Sequence, residues 1–211
     1  MKLEDILRLA AVIPVVIIED LKDAVKLARA LVAGGLPVIE VTLRTAAGLE
    51  AIRAIAAEVP EAVVGVGTVL TPADYERSVA AGAKFAVSPG ATQTLLDAVK
   101  GEPVTLLPGI ATASEAMRLI EHGYRFAKLF PAEASGGAAF LSSIASPLPQ
   151  LRFCPTGGIT VESAPKYLKL PNVVCVGGSW MVGRAAISAG DWAGITQTAA
   201  AAAALHVHRT K

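Results

Sequence analysis

Eight short β-branched runs alternate along this chain with alanine-rich helical stretches, and glycine closes many of the helices. That alternation, more than any single run, restricts the fold to a parallel sheet built from βα units. The runs are Val12 to Ile18, Pro37 to Thr42, Val63 to Val66, Phe85 to Ser88, Val104 to Leu107, Phe126 to Leu129, Leu151 to Cys154 and Val173 to Val176. Between them the pattern marks helices at Leu21 to Ala33, Leu49 to Val59, Pro72 to Ala81, Thr92 to Val99, Ser114 to His122 and Val161 to Tyr167, with a last long one around Ile187 to Leu205. Pairs such as Ala81-Gly82 and His122-Gly123 end a helix with a residue suited to the left-handed cap that turns the chain back to the sheet. No Ser- or Pro-rich linker divides the 211 residues. The expectation is therefore an α/β fold in one domain over 1–211, a closed (β/α)8 TIM barrel with an extra N-terminal helix within Lys2 to Ala10. A doubly wound open sheet is the alternative.

Charge is nearly balanced, 19 Lys and Arg against 18 Asp and Glu, and aromatics make up 5%. Neither a basic footprint for nucleic acid nor a cationic face for an anionic membrane follows from that, so a small-molecule substrate is the expected partner. Mean hydropathy is +0.54, yet charges and turn residues interrupt every stretch of about 18 residues, the length a spanning helix needs. Glu4 and Asp5 stand where a signal peptide needs positive charge, and Pro14 breaks the apolar run behind them, which predicts a cytoplasmic chain. Cys154 and Cys175 read as small buried hydrophobes in a reducing compartment. His122 reads as a helix-terminal charge, while His206 and His208 lie near the tail, so no metal and no cofactor is expected.

Two charged residues interrupt the apolar strands. Alternation places Val38, Glu40, Thr42 and, if the strand runs on, Arg44 on one face of the second run, leaving Ile39, Val41 and Leu43 for the helix layer. In the sixth run Lys128 shares a face with Phe126 and Phe130. Bland readings are a Glu40 to Arg44 ion pair capping the barrel and a lysine that snorkels to water. In an eight-stranded barrel, however, strands two and six lie opposite each other and share a side-chain layer, so Glu40 and Lys128 can meet near the axis. An amine beside a carboxylate proton carrier is the minimum equipment for Schiff-base chemistry on a ketone. An ionised Glu40 would hold the lysine charged, so Arg44 or a water is expected to weaken that attraction.

Two segments look alike: Cys154-Pro155-Thr156-Gly157-Gly158-Ile159 and Cys175-Val176-Gly177-Gly178-Ser179-Trp180. They read as Gly-Gly turns leading into helices after strands seven and eight, where such barrels frequently bind phosphate. Gly65-Val66-Gly67-Thr68 lacks a third glycine at dinucleotide spacing, although Thr68 can still donate a hydrogen bond. Ser88-Pro89-Gly90 and Leu107-Pro108-Gly109 read as chain-reversing turns.

Taken together, Ile39-Glu40-Val41-Thr42-Leu43-Arg44-Thr45, Lys128 with Phe130-Pro131-Ala132-Glu133, Gly65 to Val69, Val87 to Gly90, Pro155 to Ile159 and Gly177 to Trp180 resemble the motifs of the 2-dehydro-3-deoxy-phosphogluconate (KDPG) and 4-hydroxy-2-oxoglutarate (KHG) aldolase family over essentially the whole chain. The resemblance implies a metal-independent class I aldolase of the Entner-Doudoroff type that needs no cofactor. Its substrate would be a phosphorylated 2-keto acid cleaved to pyruvate and D-glyceraldehyde 3-phosphate, with KHG as a further substrate. By that likeness Lys128 forms the imine, Glu40 moves protons, Arg44 and Thr68 hold the pyruvyl carboxylate, and Pro89 and Phe130 line the substrate. Gly157, Gly158, Gly178 and Ser179 hold the phosphate, and Thr156 sits near the carbon that sets sugar stereochemistry. A homotrimer is also implied. Leu129 and Ser135 depart from the family's usual residues without touching the proposed chemistry. The galactonate-derived aldolase, a phosphosugar isomerase or epimerase, and a non-catalytic phosphate-binding protein are the rival readings.

Overall fold

The β-branched runs become short buried strands, and every pairing between them is parallel. The computed structural model describes residues 1–205. Its strands are β1 (Val12–Val16), β2 (Val38–Thr42), β3 (Val63–Gly67), β4 (Ala86–Val87), β5 (Leu106–Leu107), β6 (Gly109–Ile110), β7 (Phe126–Leu129), β8 (Arg152–Pro155) and β9 (Val176–Gly178). Six lie in the order β5-β4-β3-β2-β1-β9 and three in the order β6-β7-β8. Single parallel bridges, Phe153 to Val173 and Thr156 to Gly177, join the β8 side to the β9 side. Only Pro108 separates β5 from β6, and its ring nitrogen has no proton for a ladder bond. The expected α/β class with a curled parallel sheet is what the chain adopts.

Three local expectations are corrected. Leu107-Pro108-Gly109 is not a reversal, because Gly109 and Ile110 continue in the same direction and pair with Lys128 and Leu129. The last strand is Val176–Gly178 rather than Val173 to Val176, so Gly177-Gly178 is strand and not turn. The long final helix is two, α9 (Arg184–Ala189) and α10 (Trp192–Ala203). They are parted by Gly190 in the left-handed region at φ 68 and by Asp191, whose carboxylate accepts from the Gly194 N–H at 2.9 Å. A helix the pattern does not mark, α7 (Gly137–Ala145), starts at two glycines, Gly136 and Gly137, with φ 97 and 57.

Elsewhere the marked helices form, among them α2 (Ala24–Ala33), α3 (Gly48–Glu58) and α5 (Gln93–Ala98). α1 (Leu3–Arg8) precedes β1, and His122 caps α6 (Ala113–Glu121) at its C-terminal end. Starts are fixed by capping boxes, Thr112 with Glu115 on α6 and Thr71 with Asp74 on α4 (Pro72–Ala80). Burial works against the Asp74 carboxylate, but hydrogen bonds from Thr71, Arg77 and the backbone N–H groups of Leu70 and Thr71 outweigh it and hold the carboxyl below its usual value. A carboxyl lowered on folding stabilises above its unfolded pKa and loses that contribution as pH falls through the folded value. Asp74→Ala is thus expected to cost about 1 kcal/mol in urea unfolding at pH 7, with the gap from the unaltered protein closing below about pH 4.

The apolar side chains sort into two layers by strand parity. Ile39, Val41, Val64, Val66, Ala127 and Leu129 pack outward against the helices. Ile13, Val38, Phe85, Val87, Leu107 and Cys154 form an inner cluster with Leu3, Ile6 and Leu7 of α1. Among the described residues no helix is long and apolar enough to cross a membrane. His206 and His208 lie outside the described residues.

Candidate active site

Inner-face parity delivers a lysine and a glutamate to one point from positions 88 residues apart in the chain. Lys128 Nζ on β7 lies 3.1 Å from Glu40 Oε1 on β2, and their side chains are only 4% and 5% exposed. Removing two charges from water is expensive, and their mutual attraction offsets that only roughly, so such a pair is weak evidence of a stabilising role. It is better read as a chemical device. The Phe130 ring, two residues on along the same face, has its centroid 5.2 Å from Nζ, so an apolar wall stands where water would otherwise reach the amine.

Neither bland reading survives. Lys128 is buried rather than turned to solvent, and Glu40 pairs with it instead of with Arg44. Strand β2 ends at Thr42, before Arg44, which is exposed and donates from Nε to the Thr68 hydroxyl at 3.2 Å. Arg44 therefore does not stand between Glu40 and Lys128, which meet directly at 3.1 Å. Thr68 itself has φ 63, a conformation β-branched residues rarely accept. Holding it there costs about 1–3 kcal/mol, and outliers of this kind cluster where a side chain must be aimed.

Glycine makes the room. Gly67 on β3 pairs in register with Thr42, and a Cβ there would collide with the Glu40 carboxylate. Gly67→Ala must displace Glu40 from Lys128. A misplacement of about 1 Å at a reacting group costs about 100-fold in rate, so a fall of that size in kcat is expected, with the fold checked by circular dichroism. Gly109, in register with Lys128, lets the Pro89 carbonyl lie against its Cα and so brings the Ser88-Pro89-Gly90 loop beside the lysine strand.

A cavity of about 130 Å³ lies at the strands' C-terminal ends. Arg44, Phe130, Thr156, Gly157, Gly158, Gly178 and Ser179, all expected from the sequence, line it. Lys128, Glu40, Thr68 and Pro89 are not among its walls. Lys128 meets it through Phe130, and Thr68 through Arg44. Val15 and Ile17 also line it, and the apolar β1 run gave no sign of that. Both open onto a larger cleft of about 720 Å³, shared with Ser179 and spanned by an ion pair of Glu19 with Arg184 at 2.7 Å.

The two Gly-Gly segments are not equivalent. Gly157 and Gly158 adopt φ 102 and 80, a true left-handed turn. Gly177 and Gly178 are strand residues, glycine because Thr156 and Trp180 pack where their side chains would be. Neither segment leads straight into a helix, since α8 (Ala164–Leu168) and α9 start only at Ala164 and Arg184. Any anion held here would meet loop N–H groups rather than a helix terminus, which corrects the expectation of a dipole contribution. Among the described residues the Thr156 hydroxyl makes long contacts, 3.5 Å to the Cys154 carbonyl and 3.9 Å to Cys154 Sγ, so it can still bond a ligand.

Known proteins share both this shape and much of this sequence. A family model described as KDPG and KHG aldolase matches residues 3–198. The chain is 51% identical over 201 residues to the 2-dehydro-3-deoxy-phosphogluconate aldolase of Pseudoalteromonas atlantica, covering 95% of this chain and 94% of that one. It is 51% identical over 196 residues to the KHG/KDPG aldolase of Escherichia coli strain K12, covering 93% and 92%. The crystal structure of KDPG aldolase from Legionella pneumophila, with pyruvate captured at low pH as a covalent carbinolamine intermediate, superposes with a TM-score of 0.94 at 44% identity, over 96% of this chain and 98% of that one. Likeness this high, along nearly the full length of both partners, is likeness of the whole chain and not of the scaffold alone: this protein belongs to the KDPG and KHG aldolase family.

Proposed function

We propose that the protein is a class I aldolase, a lyase that cleaves 2-dehydro-3-deoxy-6-phospho-D-gluconate to pyruvate and D-glyceraldehyde 3-phosphate through an imine on Lys128. The buried Lys128 to Glu40 pair at 3.1 Å carries this reading. It gains support from the 44% identical Legionella enzyme that holds pyruvate as a carbinolamine. The name of the Escherichia coli relative favours a second substrate, 4-hydroxy-2-oxoglutarate, cleaved to pyruvate and glyoxylate.

Proton transfer from the Lys128 ammonium to Glu40 leaves an amine and a carboxylic acid, with no change in the net charge of the buried pair. The amine attacks the C2 ketone. Glu40 then protonates the carbinolamine hydroxyl, which leaves as water and gives the iminium. The carboxylate so formed takes the C4 hydroxyl proton, the C3–C4 bond breaks, and its electron pair moves into the iminium to give an enamine. Glyceraldehyde 3-phosphate departs, C3 is reprotonated, and water hydrolyses the imine to release pyruvate. Arg44 and Thr68, already bonded to each other, would hold the carboxylate end, with Pro89 and Phe130 walling the reacting carbons. Thr156 would bond near C4, and Gly157, Gly158, Gly178 and Ser179 the phosphate.

The same reading takes residues 1–211 as one (β/α)8 barrel, with β5 and β6 as one strand broken at Pro108 and α1 as an added helix at its foot. The bridges between the β8 and β9 sides support closure. A homotrimer in the cytoplasm completes the proposal, and light scattering should give three times the 21.6 kDa of one chain. The function is tested by supplying the phosphorylated keto acid and assaying both products. Equal amounts of pyruvate and glyceraldehyde 3-phosphate are expected, and no cleavage would overturn the reading.

A further inference from the structure

Tyr167, on α8, is 1% exposed, yet its hydroxyl has a polar destination: it donates to Glu133 Oε1 at 2.5 Å. Glu133 lies in the loop after β7, and that loop is stitched to the loop after β8. The Ala132 N–H donates to the Thr156 carbonyl at 2.8 Å, and the Glu133 N–H to the Gly157 carbonyl at 3.1 Å. A Cβ on Gly158 would lie 2.8 Å from both Cβ and Cγ of Glu133, so the glutamate stem lies directly against Gly158. Burial, reinforced by Glu133, raises the Tyr167 phenol above its ordinary value, and the hydroxyl stays a donor throughout the neutral range.

Charge gives this arrangement its consequence. Gly157 and Gly158 are proposed above to present N–H groups to a phosphate dianion, and a carboxylate hangs on the segment packed over them. Free to swing, that carboxylate would approach the dianion and repel it; tethered to Tyr167, it faces α8. We propose that Glu133 and Tyr167 are positioning residues for the phosphate end of the substrate, holding the Thr156 to Gly158 loop in register while keeping the Glu133 charge turned away from it. The inference rests on the aldolase reading and names which part of the substrate the pair serves.

Kinetics of the unaltered protein, Tyr167→Phe, Glu133→Ala and Glu133→Gln on the phosphorylated keto acid and on 4-hydroxy-2-oxoglutarate test it, with the rate of borohydride trapping by pyruvate as a measure of the lysine alone. Losing one hydrogen bond to a charged group should raise KM for the phosphorylated substrate about tenfold in Tyr167→Phe. kcat, KM for the unphosphorylated substrate and the trapping rate should each change less than about twofold, because none involves the phosphate. Glu133→Ala loses the contact that holds the loop but has no charge left to misdirect, so its KM for the phosphorylated substrate should rise less than that of Tyr167→Phe. The amide oxygen of Glu133→Gln still accepts from Tyr167, so that variant should restore the low KM. An unchanged KM in Tyr167→Phe, or an equal rise for both substrates as general loosening would give, overturns the proposal while leaving the aldolase reading in place. Failure of the unaltered protein to cleave either substrate overturns both.

Discussion

Lys128→Met abolishes cleavage, a fall of about 10⁵-fold or more, because a thioether cannot form the imine and no residual pathway replaces a covalent electron sink. The substitution keeps an unbranched apolar stem one atom shorter than lysine and removes the Nζ that lies 5.2 Å from the Phe130 centroid. It leaves Glu40 buried without its partner, and a broken buried pair costs about 3–5 kcal/mol if the remaining group stays charged. Uptake of a proton by Glu40 is the cheaper outcome. The variant is therefore expected to fold with its urea midpoint lowered but its cooperative transition intact, and with turnover undetectable in a coupled pyruvate assay. Turnover within about tenfold of the unaltered protein would remove Lys128 from the chemistry.

Glu40→Gln separates the two halves of the pair. Glutamine keeps the shape and can still accept from Nζ, but it cannot carry a proton between the amine, the carbinolamine hydroxyl and the C4 hydroxyl. Loss of general acid and base catalysis of this kind is worth about 10²–10⁴-fold, and the account assigns it to kcat with KM little changed. Pyruvate should still be trapped on Lys128, more slowly. A kcat within about threefold of the unaltered value would mean that the proton carrier lies elsewhere.

The pair was legible because β-strand parity is a hard rule. Once Glu40 and Lys128 are placed in the second and sixth runs, the alternation of Val38 to Thr42 and of Phe126 to Phe130 points both inward, and barrel order brings them together. The same logic failed at Gly177-Gly178, where two glycines suggest a turn until the bulk of Thr156 and Trp180 against their Cα atoms is known. It failed again at Leu107-Pro108-Gly109, which reads as a reversal in the sequence, whereas Gly109 and Ile110 pair with Lys128 and Leu129 as strand β6. Contacts made only by tertiary structure left no trace in the sequence: the left-handed backbone of Thr68, its bond to Arg44, and the walls that Val15 and Ile17 contribute to the cavity. Parity says which way a side chain points. It does not say what stands opposite.

The most direct measurement is mass spectrometry of the protein after incubation with pyruvate and borohydride, followed by peptide mapping. The account predicts one reduced pyruvyl group per chain, on Lys128, blocked in Lys128→Met. Full recovery of unmodified protein under conditions where it cleaves its substrate, or a label on a different lysine, would contradict it.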